Sequence, residues 1–70
     1  MRRIPVDSEA LNSVGYDPTR RVLEIEFTGG GVYRYFDVPE REAVGLVESD
    51  SRGQYFSERI RERYRFEQVP

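Results

Sequence analysis

Cysteine, histidine, lysine and tryptophan are all absent from this chain of 70 residues. Without cysteine and histidine the chain forms no disulfide and no thiolate or imidazole metal site, and it lacks the Cys and His nucleophiles and bases that most enzymes use. Without lysine it has no side chain for a Schiff base. The composition therefore predicts a non-enzymatic protein that binds no metal or cofactor and whose core is stabilised by packing alone.

Long apolar runs are absent as well. The first residues include two arginines, but Pro5, Asp7, Ser8 and Glu9 interrupt the apolar stretch, so it does not read as a signal peptide. No run approaches the roughly 20 apolar residues of a membrane-spanning helix. A chain of 70 residues is near the lower size limit for one hydrophobic core. We expect a single domain over residues 1–70 that is soluble, cytoplasmic and without a membrane partner.

Arginine supplies all eleven basic residues, and its distribution is uneven. The stretch from Arg52 to Arg65 contains five arginines and two glutamates, a local charge of +3, which leaves −5 for the rest of a chain whose total is −2. The planar guanidinium suits phosphate and carboxylate groups. A GC-rich genome produces the same preference for arginine without any function, so this bias alone does not identify a ligand.

The N-terminal part of the sequence predicts an edge strand and two turns. Ile4 to Val6 suits an edge strand, where Pro5 need not donate an amide. Ser8 is placed to cap a helical turn that ends at Leu11. Asp17-Pro18-Thr19-Arg20 has the residues of a type I turn, and we expect a strand on each side of it.

A β-hairpin is predicted at the centre of the sequence. Arg21 to Thr28 alternates with period two, so one face carries Leu23, Ile25 and Phe27 and the other carries Val22, Glu24 and Glu26. Gly29 to Gly31 forms the turn, and Val32 to Val38 forms the second strand.

The length of the turn decides which way Tyr33 and Tyr35 point. A two-residue loop would set both tyrosines opposite glutamates on the solvent-exposed face. A loop of three glycines predicts three pairs, namely Tyr33 with Phe27, Tyr35 with Ile25, and Arg34 with Glu26. This second register joins aromatic to apolar side chains and opposite charges to each other. We therefore expect both tyrosines to point mainly into the core, with hydroxyls that reach its rim.

Two helices are predicted after the hairpin. Pro39 suits the first helical position, and the helix runs to about Ser49 with acidic residues in its first turn. Its apolar face comprises Ala43, Val44, Leu46 and Val47, and Gly45 indicates close packing against a neighbour. Ser51 and Gln54 form a capping box for a second helix that begins near Arg52 and presents Tyr55, Phe56 and Ile60.

The last segment alternates arginine with other residues. Arg61, Arg63 and Arg65 would project the same way from an extended backbone, with Glu62, Tyr64 and Phe66 on the other side. The predicted fold class is therefore α+β: a small antiparallel β-meander of three to four strands, followed by two short helices and an extended C-terminal segment.

In their order and spacing, these residues resemble the KTSC domain, a small module named for its place at the C-terminus of some lysyl-tRNA synthetases. The resemblance extends over nearly the whole chain and rests on Ser8, Gly15-Tyr16-Asp17, Tyr33-Arg34-Tyr35, Val38-Pro39, Ser51-Arg52-Gly53, Tyr55-Phe56 and Ile60-Arg61. The chain departs from the pattern at Ala43, where an aromatic residue is common, and at Ser57, where asparagine is. The resemblance implies a bacterial or phage module, free-standing or attached to a synthetase, for which RNA binding is suggested.

Two functions fit these features. An RNA- or tRNA-binding module would stack bases on aromatic rings and contact phosphates through guanidinium groups, with a site comprising Tyr33, Arg34, Tyr35, Arg52, Arg59, Arg61, Arg63 and Arg65. A protein interaction or accessory module would instead use the acidic strand face of Glu24 and Glu26 beside the arginine-rich end. We expect these two glutamates to be solvated and not catalytic. The net acidity of the chain weighs against RNA.

Overall fold

The chain folds into an antiparallel sheet with two helices packed on one of its faces. The computed structural model describes residues 1–70, and the five strands lie in the order β1-β2-β3-β4-β5. The elements are β1 (Arg3–Pro5), β2 (Leu11–Asp17), β3 (Val22–Phe27), β4 (Val32–Tyr35), α1 (Glu40–Glu48), α2 (Arg52–Arg59) and β5 (Phe66–Val69). The predicted α+β meander is confirmed. It has five strands instead of three to four because the C-terminal segment returns and pairs with β4.

The N-terminal prediction is confirmed for the edge strand and wrong for the first turn. Pro5 lies in β1, at the edge of the sheet. The Ser8 hydroxyl accepts hydrogen bonds from the amides of Ala10 (3.3 Å) and Leu11 (3.4 Å), as a capping serine does. Leu11, however, ends no helical turn. It begins β2, because its side chain is fully buried in the core of the sheet.

The turn before β3 follows the prediction. The carboxylate of Asp17 accepts hydrogen bonds from the amides of Thr19 (3.0 Å) and Arg20 (3.2 Å), and strands flank the turn on both sides. Such Asx-type bonds satisfy backbone donors that the sheet leaves free.

In the central hairpin the predicted faces are confirmed and the predicted register is wrong by two residues. Tyr35 lies opposite Leu23, Tyr33 opposite Ile25, and Arg34 opposite Glu24 instead of Glu26. A shift of two residues keeps every side chain on its predicted face, whereas a shift of one would have reversed them all.

The loop itself explains the shift. The amide of Gly30 donates to the carbonyl of Phe27 (3.0 Å), and the amide of Phe27 donates to the carbonyl of Gly31 (3.1 Å). The three loop residues are therefore Thr28, Gly29 and Gly30, and Gly31 already belongs to the second arm. Gly30 and Gly31 have φ angles of 117° and 89°, which only glycine adopts without strain. The second strand is also shorter than predicted and ends at Tyr35.

The helix boundaries agree with the prediction, and three details do not. Pro39 is the N-cap of α1 and not its first residue. Val44 is 45% exposed, so the apolar face of α1 is narrower than predicted. Ser51 is the N-cap of α2 but makes no side-chain capping bond, so the capping box is wrong. Its partner in that box, Gln54, instead donates to Glu58 (3.0 Å).

The hydrophobic core lies between the helices and the inner face of the sheet. Its fully buried side chains come from β2, β3, both helices and their flanks, and are Leu11, Leu23, Ile25, Val38, Leu46 and Ile60. No helix of the fold has the length and apolar character needed to cross a membrane. The other face of the sheet carries no helix, and charged side chains lie there beside apolar ones such as Val22 and Phe36.

Close packing of the two helices at Gly45 gives a first test of the fold. A Cβ at this position would overlap the Tyr55 hydroxyl, which is held by a hydrogen bond to Glu42. We expect Gly45→Ala to lower the free energy of unfolding by about 1 to 3 kcal/mol, as other overpacking substitutions do. Gly29→Ala is the matched control, since a Cβ there meets nothing within 4 Å. Equal urea midpoints for both variants would contradict the packing.

The tyrosines of β4 give a second test, because they differ in burial. Tyr35 is only 4% exposed, whereas Tyr33 is half-buried. We expect Tyr35→Ala to cost about 3 to 5 kcal/mol of stability and Tyr33→Ala about 2 kcal/mol, since truncating a half-buried ring removes less buried area. Thermal unfolding measures both. A Tyr33→Ala variant that melts like the parent would place that ring outside the core.

Candidate nucleic-acid interface

An open cleft lined by aromatic rings lies where the helices stop covering the inner face of β3, β4 and β5. We call it the aromatic cleft. Its volume is about 530 Å³, and it is lined by Phe27, Gly30, Tyr33, Tyr35, Phe56, Arg61, Glu62 and Phe66. The cleft therefore brings together three of the residues predicted for the site, Tyr33, Tyr35 and Arg61.

The five rings of the aromatic cleft form a closed circle in which each ring contacts two others. The centroid distances around the circle are 5.6 Å for Phe27–Tyr33, 6.0 Å for Tyr33–Phe66, 5.5 Å for Phe66–Tyr35, 5.5 Å for Tyr35–Phe56 and 5.1 Å for Phe56–Phe27. Three of these contacts are edge-to-face, the geometry that the ring quadrupole favours. Each ring is therefore held in orientation by its neighbours.

Burial falls steadily from the floor of the aromatic cleft to its rim. Tyr35 and Phe56 are buried, Phe27 and Tyr33 are half-buried, and Phe66 is 53% exposed. An apolar ring with half of its surface in water leaves a flat area that a planar ligand can cover. The rim of the cleft is thus a rigid stacking surface on top of a packed core.

The tyrosine hydroxyls of the aromatic cleft differ from the other tyrosine hydroxyls of the protein in their hydrogen bonds. The hydroxyls of Tyr16, Tyr55 and Tyr64 all donate hydrogen bonds within the protein. Those of Tyr33 and Tyr35 have no such bond and are not sealed from solvent, so they open into the cleft. Burial raises the pKa of Tyr35 to about 12, with a smaller contribution from the neighbouring Tyr33. At neutral pH Tyr35 therefore keeps its proton, and its hydroxyl can donate a hydrogen bond to a ligand.

One cation borders the aromatic cleft. Arg61 lines it, and its positive charge partly opposes the upward shift in the pKa of Tyr35. Glu62 lies on the same lining, so the local charge is balanced and not strongly basic. The cleft can offer one guanidinium to an anion next to a stacked ring.

The predicted stripe of three arginines on an extended tail is wrong. Residues 60–63 form a turn and β5 begins only at Phe66, so Arg61 and Arg63 are not in a strand. Arg65 lies next to Phe36, with its guanidinium carbon 5.1 Å from the centre of that ring. Phe36 lines a small cleft together with Arg34, on the outer face of the sheet. Arg61 and Arg65 therefore point to opposite faces of the sheet.

Three further arginines of the predicted site are engaged in the fold. The Nε of Arg34 donates to Glu24 (2.8 Å) on the outer face. Arg59 forms an ion pair with Glu42 (3.3 Å) and lies over the ring of Tyr55. Arg52 donates to the carbonyls of Val47 (2.9 Å) and Asp7 (2.6 Å), which ties α2 to the chain before β2. Of the eight predicted residues, Arg63 is exposed and free of these contacts.

The polar cleft around Arg52 is a weaker candidate site. Its volume is about 400 Å³, and Ser8, Ser51, Arg52 and Gly53, which the sequence pattern singled out, meet in its lining. The same lining holds the carboxylates of Asp7, Glu9 and Asp50. Three carboxylates against one guanidinium that is already bonded to backbone carbonyls repel a phosphate.

The sequence alone did not identify Phe27, Phe56 and Phe66 as site residues. Strand alternation assigned Phe27 to the core, and helical spacing did the same for Phe56. Phe66 read as part of a tail, and its place beside Tyr35 follows from the pairing of β5 with β4. The only available signal was the high aromatic content of a short chain, nine of 70 residues.

Glu24 is buried, which corrects the prediction that it is solvated. Its side chain lies on the outer face of the sheet under the guanidiniums of Arg3 and Arg34, both of which pair with it. Burial acts to raise the pKa of Glu24, but the hydrogen bonds from Arg34 and Arg3 outweigh it and hold the pKa below its ordinary value. The carboxylate is therefore ionised, and each of its oxygens accepts a hydrogen bond from an arginine.

Glu42 is a second buried carboxylate, and it joins the helices. It accepts hydrogen bonds from the hydroxyls of Tyr55 (2.6 Å) and Tyr64 (3.3 Å) and pairs with Arg59. Burial acts to raise its pKa, but the bond from Tyr55 and the charge of Arg59 lower it further than burial raises it. One side chain of α1 thus holds α2 and the turn that leads to β5.

The two buried carboxylates predict a stability loss in acid. Their folded-state pKa values lie below the ordinary value of 4.5, so their ionised forms stabilise the folded state, and this stabilisation is lost as the pH falls below about 4.5. We expect Glu42→Gln to lower the unfolding free energy at pH 7 by about 1.5 to 3 kcal/mol. We also expect a shallower decline with acid than in the parent. Urea titrations across the acid range measure both, with exposed Glu48→Gln as the control.

Comparison with solved structures identifies the same fold elsewhere. The crystal structure of a KTSC domain protein from Yersinia pestis superimposes on this chain with a TM-score of 0.96 at 36% sequence identity. The match covers 99% of this chain and 97% of the other. The overall fold is therefore shared with that protein.

Sequence comparison gives the same result. A family model described as the KTSC domain matches residues 7–64. An uncharacterised protein of Stutzerimonas stutzeri is 43% identical over 58 residues, which are 83% of this chain and 82% of that protein. A lysine–tRNA ligase of a Nostoc species is 39% identical over 59 residues, and the match is 84% of this chain but 10% of the ligase. The chain belongs to the KTSC domain family.

Proposed function

We propose that this KTSC domain is a non-enzymatic RNA-binding module of the cytoplasm. Unpaired bases stack on the rim of the aromatic cleft, on Phe66 and Tyr33, while Arg61 contacts an adjacent phosphate. The observation that carries this proposal is the circle of five rings, whose outermost member is half exposed although it is held by two neighbours. A solvated apolar ring of this kind is a stacking surface prepared in advance.

Stacking on a fixed ring is energetically efficient. Each base stacked on an aromatic side chain contributes about 1 to 3 kcal/mol to single-strand binding. Ordering a mobile side chain on binding costs about 0.5 to 1.5 kcal/mol, and a ring already held by its neighbours avoids most of that cost. The open Tyr35 hydroxyl at the floor of the cleft adds a donor that can reach the edge of a base.

The charge distribution sets the kind of RNA binding that we expect. The chain has a net charge of −2. Five of the six arginines in the predicted site lie outside the aromatic cleft, and four of these contact other groups of the protein. Few phosphates are contacted, so the affinity is modest. With one or two contacts on a single strand, the logarithmic salt slope is about −1.

The relatives support RNA over other polyanions. Three lysine–tRNA ligases, two of them from Nostoc species and one from Trichormus variabilis, contain a region 33 to 39% identical to this chain. A module carried by an enzyme whose substrate is a tRNA is well placed to contact that RNA. Each match is about a tenth of the ligase, so this chain corresponds to only a small part of those proteins.

The buried carboxylates support a role without catalysis. A general acid or base needs a pKa near the working pH and a free position for its proton. Glu24 and Glu42 have the opposite properties, since guanidinium and hydroxyl donors lower the pKa of both and occupy their oxygens. Their arrangement is that of structural ion pairs.

A binding experiment with matched variants tests the proposal. Fluorescence anisotropy of a labelled single-stranded oligoribonucleotide, with unlabelled tRNA as competitor, gives the affinity at two salt concentrations. We expect Phe66→Ala to weaken binding about tenfold, since one stacked ring is lost, and Arg61→Gln to weaken it and flatten the salt slope. Arg65→Gln is the control, because it removes the same charge on the opposite face of the sheet.

Two results would contradict this assignment. Equal effects of Arg61→Gln and Arg65→Gln would mean that the RNA is held by the charge of the whole arginine-rich end and not by the cleft. No binding of either RNA at low salt would favour the protein interaction module. Thermal unfolding of each variant is recorded alongside, and because Phe66 is 53% exposed we expect Phe66→Ala to lose less stability than Tyr33→Ala.

A further inference from the structure

The edge of β5 is open, and neither helix covers it. Phe66, Glu67 and Gln68 are all exposed, and Val69 is half-buried. The opposite edge, β1, carries Pro5, which cannot donate to a further strand. β5 has no proline or lysine that would block pairing, so it presents a row of unpaired backbone groups.

The hydrogen bonds of β4 and β5 show which backbone groups are free. The amide of Phe36 donates to the carbonyl of Arg65 (2.9 Å), so the backbone groups of Arg65 point towards β4. Alternate residues of an antiparallel strand share this direction, so those of Glu67 also point inwards. The amides and carbonyls of Phe66 and Gln68 therefore point out of the sheet and are available to another strand.

We propose that β5 pairs antiparallel with β5 of a second copy of this chain, about a two-fold axis at Phe66. In this register Phe66 lies opposite Phe66 of the second copy, and the two residues exchange both of their backbone hydrogen bonds. Arg65 lies opposite Glu67 of the second copy, and the symmetry repeats this pair. The surface is complementary to itself, as a two-fold interface requires.

The neighbouring registers are unfavourable for definite reasons. A two-fold axis at Glu67 places Glu67 against itself, and an axis at Arg65 places Arg65 against itself. Like charges directly opposite each other destabilise a strand pair. An axis at Gln68 places Phe66 opposite Pro70, which has no amide to donate. Registers with the axis between two residues bring inward-pointing backbone groups opposite outward-pointing ones and break the ladder.

Side-chain positions across the new pair agree with this register. Arg65 and Glu67 project from the outer face of the sheet. Their pair across the two copies is a non-hydrogen-bonded one, in which the Cα atoms and side chains lie closer together than in a hydrogen-bonded pair. Phe66 projects from the inner face at the rim of the aromatic cleft, so the two Phe66 rings meet across the axis. They cover part of the surface proposed for base stacking, so the dimer is a state of the RNA-free protein. The result is a continuous sheet of ten strands with two aromatic clefts side by side on one face.

The interface is small, so the dimer is weak. Pairing involves one strand of four residues and its flanks. Interfaces that bury less than about 1,200 Å² are typical of weak and transient association. Sedimentation equilibrium of the RNA-free protein from about 10 µM to about 1 mM covers the dissociation constants expected for such contacts. We expect the parent to shift from monomer to dimer within that range.

Charge reversal tests the register. Because the two-fold axis repeats the pair, Arg65→Glu alone creates two glutamate–glutamate pairs, and Glu67→Arg alone creates two arginine–arginine pairs. We expect each variant to dimerise at least tenfold more weakly than the parent. An equimolar mixture of these two variants restores both opposite-charge pairs, and we expect heterodimers. In the double variant each copy carries both changes, so two identical copies again form two opposite-charge pairs. We expect this variant to dimerise like the parent. Recovery in the mixture also shows that each single variant is folded.

Three outcomes would overturn the proposal. One is a parent that stays monomeric up to the highest concentration. Another is a dimer whose dissociation constant is the same in all variants, since it would use a different surface. The third is a mixture that associates no better than either single variant, which would mean that Arg65 and Glu67 are not opposite each other.

Discussion

The pairing of β5 with β4 is the contact on which the other features of this domain depend. It places Phe66 beside Tyr35 and so closes the circle of rings that holds the aromatic cleft. It also sends Arg65 to the outer face and leaves Arg61 in the turn at the cleft. Without this pairing, the last residues would be an arginine-rich tail and the cleft would lack its rim. Because β5 has only four residues, its pairing with β4 depends on the preceding turn being held in place.

Glu42 fixes that turn. Its carboxylate accepts from Tyr55 of α2 and from Tyr64, just before β5, so one buried charge links α1 to both later elements. Burying a carboxylate is unfavourable unless its oxygens are satisfied, and here two hydroxyls and a guanidinium satisfy them. On the outer face Glu24 does the same for β1 and β4 through Arg3 and Arg34. Several arginines of this chain are therefore structural partners of buried acids.

This use of arginine changes what the composition means. An arginine-rich segment beside a tyrosine pair has the composition of a nucleic-acid-binding site, but most of these cations are bound to acids, carbonyls or a ring. What remains for a ligand is an apolar stacking surface with one cation beside it. The RNA binding that we propose is compatible with a net acidic domain because stacking does not depend on charge.

The sequence by itself determined the two helices, most of the strands and the faces of the central hairpin, but not the fifth strand or the start of β2. Period-two alternation assigned Leu23, Ile25, Tyr33 and Tyr35 to the inner face, and turn residues placed the boundaries, because both signals arise within a few neighbouring residues. The hairpin register and the fate of the arginines were decided only by the tertiary structure. The glycines permit two three-residue loops that are offset by one residue, and their strand registers differ by two residues and give the same faces, so only the packed sheet selects between them. The burial of Glu24 and the place of Phe66 depend on strands far apart in the chain, and a local pattern contains no information about such contacts.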